Sequence, residues 1–569
     1  MPGSIPETYD LAVLGAGPAG LAGAVTAAEL GLCVVLLDAS DRPGGQFYRH
    51  PAPTMGAARP EALHHDWAAY TDLRDRLAAS DVTQRLGHHV WTVTREATGD
   101  GWTVHALTGE EGGENDTRVN GYGDDHDPGQ DDDHGHGHGH GRNHDHDHDH
   151  DHEHGHDSRP AQRPVTLRAR TLLLATGSYE RHLPFPGWTL PGVVSAGGAQ
   201  AMLKSGLALP GRRVVVAGSG PLLLAVATSL ATAGAEVPEV VEASGYLGYA
   251  RHPTALATNP HKLAEAALHG TALLRHRTRL STRSAVTAAH GTDRVEAVTV
   301  SRLDRNWRPV PGTGRRVTCD ALAVGHGLIP QIDLATTLGC ATRRTADGTH
   351  ALAVRPLQET SLRGLWAAGE TSGIGGAQLA TVEGTLAAWA IAARLTGERP
   401  APLPRLRALR RRRDRMRAFA ETMTAAHAPG PGWNGWLTDE TDVCRCEEVT
   451  AGRVREAVAD YGARDARTVK LLTRAGMGWC QGRICGTAVT CLAASATTAP
   501  TPAPPDRRPL ATPVPLGTLA RLETTTTEPD GRPDHATHPV DPTDTTHPAP
   551  TPDTPANRTT PTPPPSPSP

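Results

Sequence analysis

One stretch near the start of the chain limits the fold more than any other. Tyr9–Leu14 (YDLAVL) reads as a short apolar strand, Gly15-Ala16-Gly17-Pro18-Ala19-Gly20 as a glycine-rich turn, and Ala19–Leu30 as an alanine-rich helix. A second apolar strand, Cys33–Leu37, ends in Asp38. This is a βαβ unit of about thirty residues with G-x-G-x-x-G at its first turn. Gly15 permits the tight turn, Gly17 lets backbone approach a pyrophosphate, and Gly20 allows the helix to pack closely on the strand. The helix start presents free N–H groups and a positive dipole end to phosphates. Asp38 stands where a carboxylate accepts hydrogen bonds from ribose hydroxyls. The unit therefore predicts a doubly wound α/β domain with a dinucleotide site.

A second unit follows. Arg213–Ala217 is a strand, Gly218–Gly220 a turn, the next helix runs to about Ala233, and Ala235–Val241 is a further strand. Gly218 and Gly220 keep two glycines of the motif, but Leu223 replaces the third and should push helix from strand or alter the turn. Glu242 is the candidate ribose acid, although Pro238 interrupts the strand leading to it. Three readings stay open: NAD(P)H turnover, a nucleotide (ATP or NAD(P)) held without redox chemistry, and a structural domain.

Cysteines supply a second chemistry. Cys444-x-Cys446 is followed, after 33 residues, by Cys480 and Cys485 with four residues between them. Four thiolates in two short pairs suffice for a [2Fe–2S] cluster or a structural zinc. Cys33, Cys319, Cys340 and Cys491 sit in apolar settings and read as core packing.

Further motifs decide between dinucleotides by resemblance. Asp38-Ala39-Ser40-Asp41-Arg42-Pro43-Gly44-Gly45-Gln46 resembles the acid-then-GGQ segment of FAD enzymes with two dinucleotide-binding domains. Leu174-Ala175-Thr176-Gly177 resembles their ATG motif, and Gly364–Glu370 (GLWAAGE) their late motif, whose acid contacts the flavin ribityl chain. That acid is normally Asp, where this chain has Glu370. Gly373–Gln378 (GIGGAQ) then opens a helix whose start would face the flavin. The resemblance implies FAD, held by Gly15, Gly17, Pro18, Ala19, Gly20, Asp38, Gly45, Gln46, Ala175, Thr176, Gly177, Gly369, Glu370 and Gln378. No close cysteine pair follows Gly45 or lies in the second domain, which excludes dithiol–disulfide reductase chemistry.

Val443–Val449 (VCRCEEV) and Gly476–Gly486 (GMGWCQGRICG) resemble the small [2Fe–2S] domain of bacterioferritin-associated ferredoxin. The wide C-x-x-x-x-C spacing resembles a narrower group, the A (alpha) subunits of opine oxidases, hydrogen cyanide synthase and D-hydroxyproline dehydrogenases. Leu183–Trp188 (LPFPGW), Gly218–Leu224 (GSGPLLL), Val324–Pro330 (VGHGLIP) and Pro509–Ala520 (PLATPVPLGTLA) extend that resemblance over about 9–522. It implies an electron-relaying subunit whose partner, a D-amino-acid-oxidase-type flavoprotein, oxidises a C–N bond. A further partner would be a small ferredoxin-like subunit. No acid–base or nucleophilic constellation accompanies the flavin motifs, so no catalytic residue is assigned.

Charge is unevenly spread over the 569 residues. Residues 124–157 carry 12 His and a net charge of −11 without one aliphatic or aromatic side chain, a composition that cannot bury a core. The Thr/Pro-rich tail 523–569 carries another −5, so the chain's overall −5 leaves +11 on the remainder. Two further functional readings stay open: a stand-alone NAD(P)H-dependent flavin/iron–sulfur reductase, and a metal-binding protein, because the insert offers imidazole pairs to divalent metals. The basic run Arg405–Arg417 reads as an Arg-rich outer helix face or a docking face for an acidic partner. Nucleic acid finds no motif, no stretch is long and apolar enough to span a membrane, and the start lacks a signal-peptide profile. The expectation is a cytoplasmic protein.

The expected organisation is an FAD domain at 9–200 and 346–400 with an NAD(P)-type domain inserted at 201–345. A basic helical linker at 401–438, a cluster domain at 439–495, an ordered extension at 496–522 and a disordered tail complete it.

Overall fold

The computed structural model describes residues 8–108 apart from 65, 97, 98 and 100, residues 162–494 apart from 252, 399 and 400, and residues 510–523. The His-rich insert, most of the tail and 495–509 lie outside the described residues.

The first sheet is built on Tyr9–Leu14, which pairs in parallel with Val34–Asp38 on one side and Arg163–Leu174 on the other. Thr83–Leu86 extends one edge in parallel, and the antiparallel strands Trp102–Thr108 and His88–Arg95 extend the other. Leu365–Ala367 also pairs in parallel with Arg163–Leu174. Leu14 is level with both Leu37 and Leu174, and Leu174 with Ala367. One sheet edge therefore collects the glycine turn, the ATG motif and the late motif, at the carboxyl ends of parallel strands where such sheets bind ligands.

Two helices cover one face. Pro18–Glu29 starts one residue before the expected Ala19, because proline suits the first helical position. It crosses Ala377–Thr396, and the crossing is made by small residues. A Cβ added at Gly384 would collide with the Ala19 carbonyl, and one at Gly20 with the Gly15 carbonyl. Gly20→Ala is accordingly expected to cost about 1–3 kcal/mol by overpacking. FAD content and the urea midpoint of the purified protein check this.

The second sheet has five parallel strands in the order Arg279–Thr282, Glu239–Glu242, Val214–Gly218, Ala321–Gly325, Val193–Ser195. One expectation is corrected here. The strand expected at Ala235–Val241 spans Glu239–Glu242, because Pro238 cannot donate to the ladder. The boundary expected at 200/201 falls inside helix Ala196–Gly206, and Val193–Ser195 already pairs in the second sheet. A three-stranded antiparallel sheet, Ser284–His290, Ala297–Arg302 and Arg315–Thr318, packs beside it.

The arginine-rich run lies on helix Leu403–Ala426. Beyond it, the hairpin Asp442–Cys444 and Val449–Thr450 and the helices Ala451–Ala459, Ala466–Thr473 and Gly486–Ala494 enclose a small core of Val443, Val454, Val469, Val489 and Leu492. That core is continuous with Trp307 and Trp436, whose rings stack at 6.1 Å, and the Trp188 indole N–H donates to the Asp442 carbonyl at 2.7 Å. Among the described residues no helix is long and apolar enough to cross a membrane.

Candidate functional site

At the first sheet's edge the backbone leaves room only for glycine. A Cβ on Gly15 would collide with the Ala175 carbonyl, and one on Gly45 would lie 2.8 Å from the Gly17 Cα. The Gly44 N–H donates to the Ala16 carbonyl at 2.8 Å, laying the GGQ turn on the first glycine turn. Asp38 closes the arrangement, accepting from the Ala16 N–H at 2.6 Å and the Ser40 N–H at 2.7 Å. The helix Pro18–Glu29 has Gly17 at its N-cap and no side-chain cap, so its first N–H groups face the turn without a competing side chain. These features fit a dinucleotide pyrophosphate.

The remaining flavin candidates converge on the same edge. The Thr176 hydroxyl donates to the Gln331 carbonyl at 2.8 Å, and the Gln331 N–H to the Gly177 carbonyl at 2.9 Å. Gly369 lies against Ala19. The carboxylate of Glu370, expected to reach a ribityl chain, accepts from the Gly375 and Gly376 N–H groups at 3.0 and 2.9 Å. Burial raises its pKa against the pull of those two N–H groups. The extra methylene relative to Asp lets it span the GIGGAQ turn, so it shapes the start of helix Ala377–Thr396. Gln46 is exposed, and Gln378 lines a cavity of about 450 Å³ with Asn259, Arg412 and Arg415.

A buried ion pair behind this edge had no clear signature in the chain. Glu383, fully buried, accepts from the Gly369 N–H at 3.0 Å, the Ser372 hydroxyl at 2.9 Å and Arg417 at 2.6 Å. Arg417 also donates to the Gly373 carbonyl at 2.6 Å, and Arg343 to the Ser372 carbonyl at 3.0 Å. The expected Arg-rich outer face is thus corrected in part. Arg413 and Arg417 turn inward, whereas Arg412 and Arg415 stay exposed. A lone acid in the alanine-rich helix Ala377–Thr396 was the signal; its partner was hidden among identical arginines.

The second nucleotide-type turn is differently occupied. Its helix begins at Leu222, one motif position later than in the first unit, and the Leu223 side chain is buried in the core. A Cβ on Gly218 would collide with the Gly325 carbonyl. Glu242, the candidate ribose acid, is buried and accepts from the Gly220 and Ser244 N–H groups at 3.0 and 2.9 Å. The residue after the arginine helix, His427, closes over both: its Nδ1 lies 3.4 Å from Glu242, and its carbonyl accepts from the Ser219 hydroxyl at 2.9 Å. Tyr249 contacts the His427 Nε2 at 3.0 Å, and Tyr246 and Tyr249 meet its ring edge-on. The Glu242 carboxylate and the Ser219 hydroxyl of this turn are thus engaged by the chain's own His427.

In the small domain the four cysteines come together as two pairs, Cys444 with Cys485 and Cys446 with Cys480. Cys444 is drawn down to about 5, first by its contact with Cys485 and then by the Gly476, Glu447 and Cys446 N–H groups, whereas Cys485 is pushed up by the same contact and by burial. The Gly476 N–H reaches the Cys444 sulfur at 3.5 Å. Among the described residues no group of three or more His, Cys, Asp or Glu is placed to hold a single metal ion. Two thiol pairs fit a two-iron core, each iron taking two thiolates. Cys319 and Cys340 are buried as expected, but Cys33 is exposed because the strand starts after it.

Comparison with known proteins agrees with this geometry. Residues 10–108 match the FAD dependent oxidoreductase model, 140–384 the pyridine nucleotide-disulphide oxidoreductase model, and 443–494 the BFD-like [2Fe-2S] binding domain. FAD and a [2Fe–2S] cluster are therefore the cofactors. The chain is 32% identical over 482 residues to the HcnB subunit of hydrogen cyanide synthase from Pseudomonas aeruginosa, covering 83% of this chain and 90% of that protein. It is 32% identical over 499 residues to the A subunit of opine oxidase from Agrobacterium tumefaciens, covering 85% of each. The structure of L-proline dehydrogenase from P. horikoshii shares the fold, with a TM-score of 0.58 at 19% identity over 90% of this chain and 80% of that one.

Proposed function

Because the chain belongs to the family of the HcnB subunits of hydrogen cyanide synthase and the A subunits of opine oxidase, we propose that it is the electron-relaying subunit of an amino-acid or opine dehydrogenase-type complex. Its partner is a D-amino-acid-oxidase-type flavoprotein that oxidises the C–N bond, and a further member is a small ferredoxin-like subunit. Gly15, Gly17, Pro18, Ala19, Gly20, Asp38, Gly45 and Gln46 would hold the adenosine and pyrophosphate side of FAD. Ala175, Thr176, Gly177, Gly369, Glu370 and Gln378 would frame its flavin side, and Cys444, Cys446, Cys480 and Cys485 the cluster. Bound FAD can take up an electron pair and the cluster single electrons.

The observation that carries this reading is the second nucleotide-type turn. With Ser219 and Glu242 engaged by His427, and Tyr249 behind it, the polar groups that would meet NAD(P)H at this turn are held by the chain itself, which favours another electron donor. In this reading the electrons come from the partner flavoprotein. Mixing the purified chain anaerobically with NADH and with NADPH tests this. Flavin absorbance is expected to persist after dithionite would have bleached it, and rapid bleaching by either nucleotide would restore the stand-alone reductase reading. We place the protein in the cytoplasm, in keeping with its eight free cysteines.

A further inference from the structure

We infer that the exposed apolar face laid over the cluster cysteines is the docking surface for the amine-oxidising partner, an inference that rests on the proposed function. The loop Gly476–Cys480 has two sides. Its backbone packs on the ligands: the Gly476 N–H points to the Cys444 sulfur, and a Cβ on Gly478 would collide with the Cys446 Cβ. Its side chains point the other way, leaving Trp479 75% and Met477 39% exposed. Just before it, the end of helix Ala466–Thr473 leaves Leu471 69% and Leu472 45% exposed. Cys446 itself is exposed and Cys480 half-buried, so a partner seated here would meet the cluster-bearing sulfurs directly. Large apolar side chains concentrated in one short segment mark a contact face, not ordinary surface.

Charge selects the occupant. Residues 466–485 contain Arg467, Lys470, Arg474 and Arg483 and no acid. Arg474 is spent on Glu447 and Arg483 on Asp333, and exposed Asp465 lies within charge range of Arg467, which leaves the half-buried Lys470 and exposed Arg445, beside Cys446, to set against exposed Glu448. The fitting surface has an apolar centre and an acidic rim. The chain's own acidic segments do not supply that centre: 124–157 has no apolar side chain, and in 523–569 Val540 is the sole aliphatic residue larger than alanine apart from proline. A separate protein meets both requirements.

The test uses the full-length chain and a separately purified D-amino-acid-oxidase-type flavoprotein from the same organism, with binding followed by calorimetry. Trp479→Ser with Leu471→Ser is expected to weaken binding by about tenfold or more, as loss of a buried aromatic anchor does. The visible absorption of FAD and cluster should stay unchanged, which shows that the domain still folds. Arg467→Glu with Lys470→Glu is expected to flatten the salt dependence of binding. Unchanged affinity in the serine variant overturns the docking surface and leaves the proposed function standing. Failure of the wild-type chain to bind the flavoprotein overturns both. Deleting 124–157 or 524–569 should leave affinity as it was, and a clear rise would make that segment the occupant and overturn the inference.

Discussion

Arg417→Ala is expected to destabilise the flavin-binding part of the chain by about 3–5 kcal/mol, the range for stripping the partner from a buried ion. Glu383 is fully buried, and Arg417 supplies its short charged contact. Arg413 stands further off at 3.6 Å and can compensate only in part. The same guanidinium holds the Gly373 carbonyl and the Ser372 hydroxyl, so the substitution also frees the turn that leads into helix Ala377–Thr396. The urea midpoint of flavin release should fall, and the potential of the retained flavin should move, because a positive charge beside its loop is gone. Arg417→Lys should recover part of the stability but not the bonds to three separate acceptors. Pairing Arg417→Leu with Glu383→Leu should restore much of the stability without restoring the potential. A midpoint indistinguishable from wild type in Arg417→Ala would show that Arg413 alone balances Glu383.

Cys480→Ser is expected to abolish the visible absorption of the cluster while FAD stays bound. The four thiols form two pairs, Cys444 with Cys485 and Cys446 with Cys480, and a serine hydroxyl is a poor substitute for a thiolate on iron. Iron and acid-labile sulfide in anaerobically purified protein should fall to near zero. Cys33→Ser, at an exposed position on the first domain, should leave both unchanged and serves as the control. Wild-type protein purified without iron and sulfide would sink the assignment, and zinc in their place would revive the structural-metal alternative.

Much of the first site is legible in the chain because it depends on backbone. Gly15, Gly17 and Gly20 are needed where a Cβ has no room or where a phosphate must come close, and only glycine meets that need. The same holds for Gly218 in the second unit, where an added Cβ would collide with the Gly325 carbonyl. The four cysteines are legible for a chemical reason, since few side chains other than thiolates hold iron in a two-iron core. The three-residue strand Val193–Ser195 carries too little pattern to be seen without its partner Ala321–Gly325.

Other features depend on which residues meet across long stretches of chain. Glu370 folds onto Gly375 and Gly376, a choice made by one methylene and the shape of a loop. His427 reaches Glu242 from almost two hundred residues away, and Arg417 finds Glu383 from a neighbouring helix. A run of arginines gives no sign of which side chains turn inward, because each is chemically the same and only packing distinguishes them. The amino-acid order by itself determined two dinucleotide-type units and a thiolate cluster, since local backbone geometry and ligand chemistry demand particular residues at particular spacings. Tertiary structure alone decided that His427 meets Ser219 and Glu242 at the second glycine turn, because the energies involved belong to contacts between distant segments.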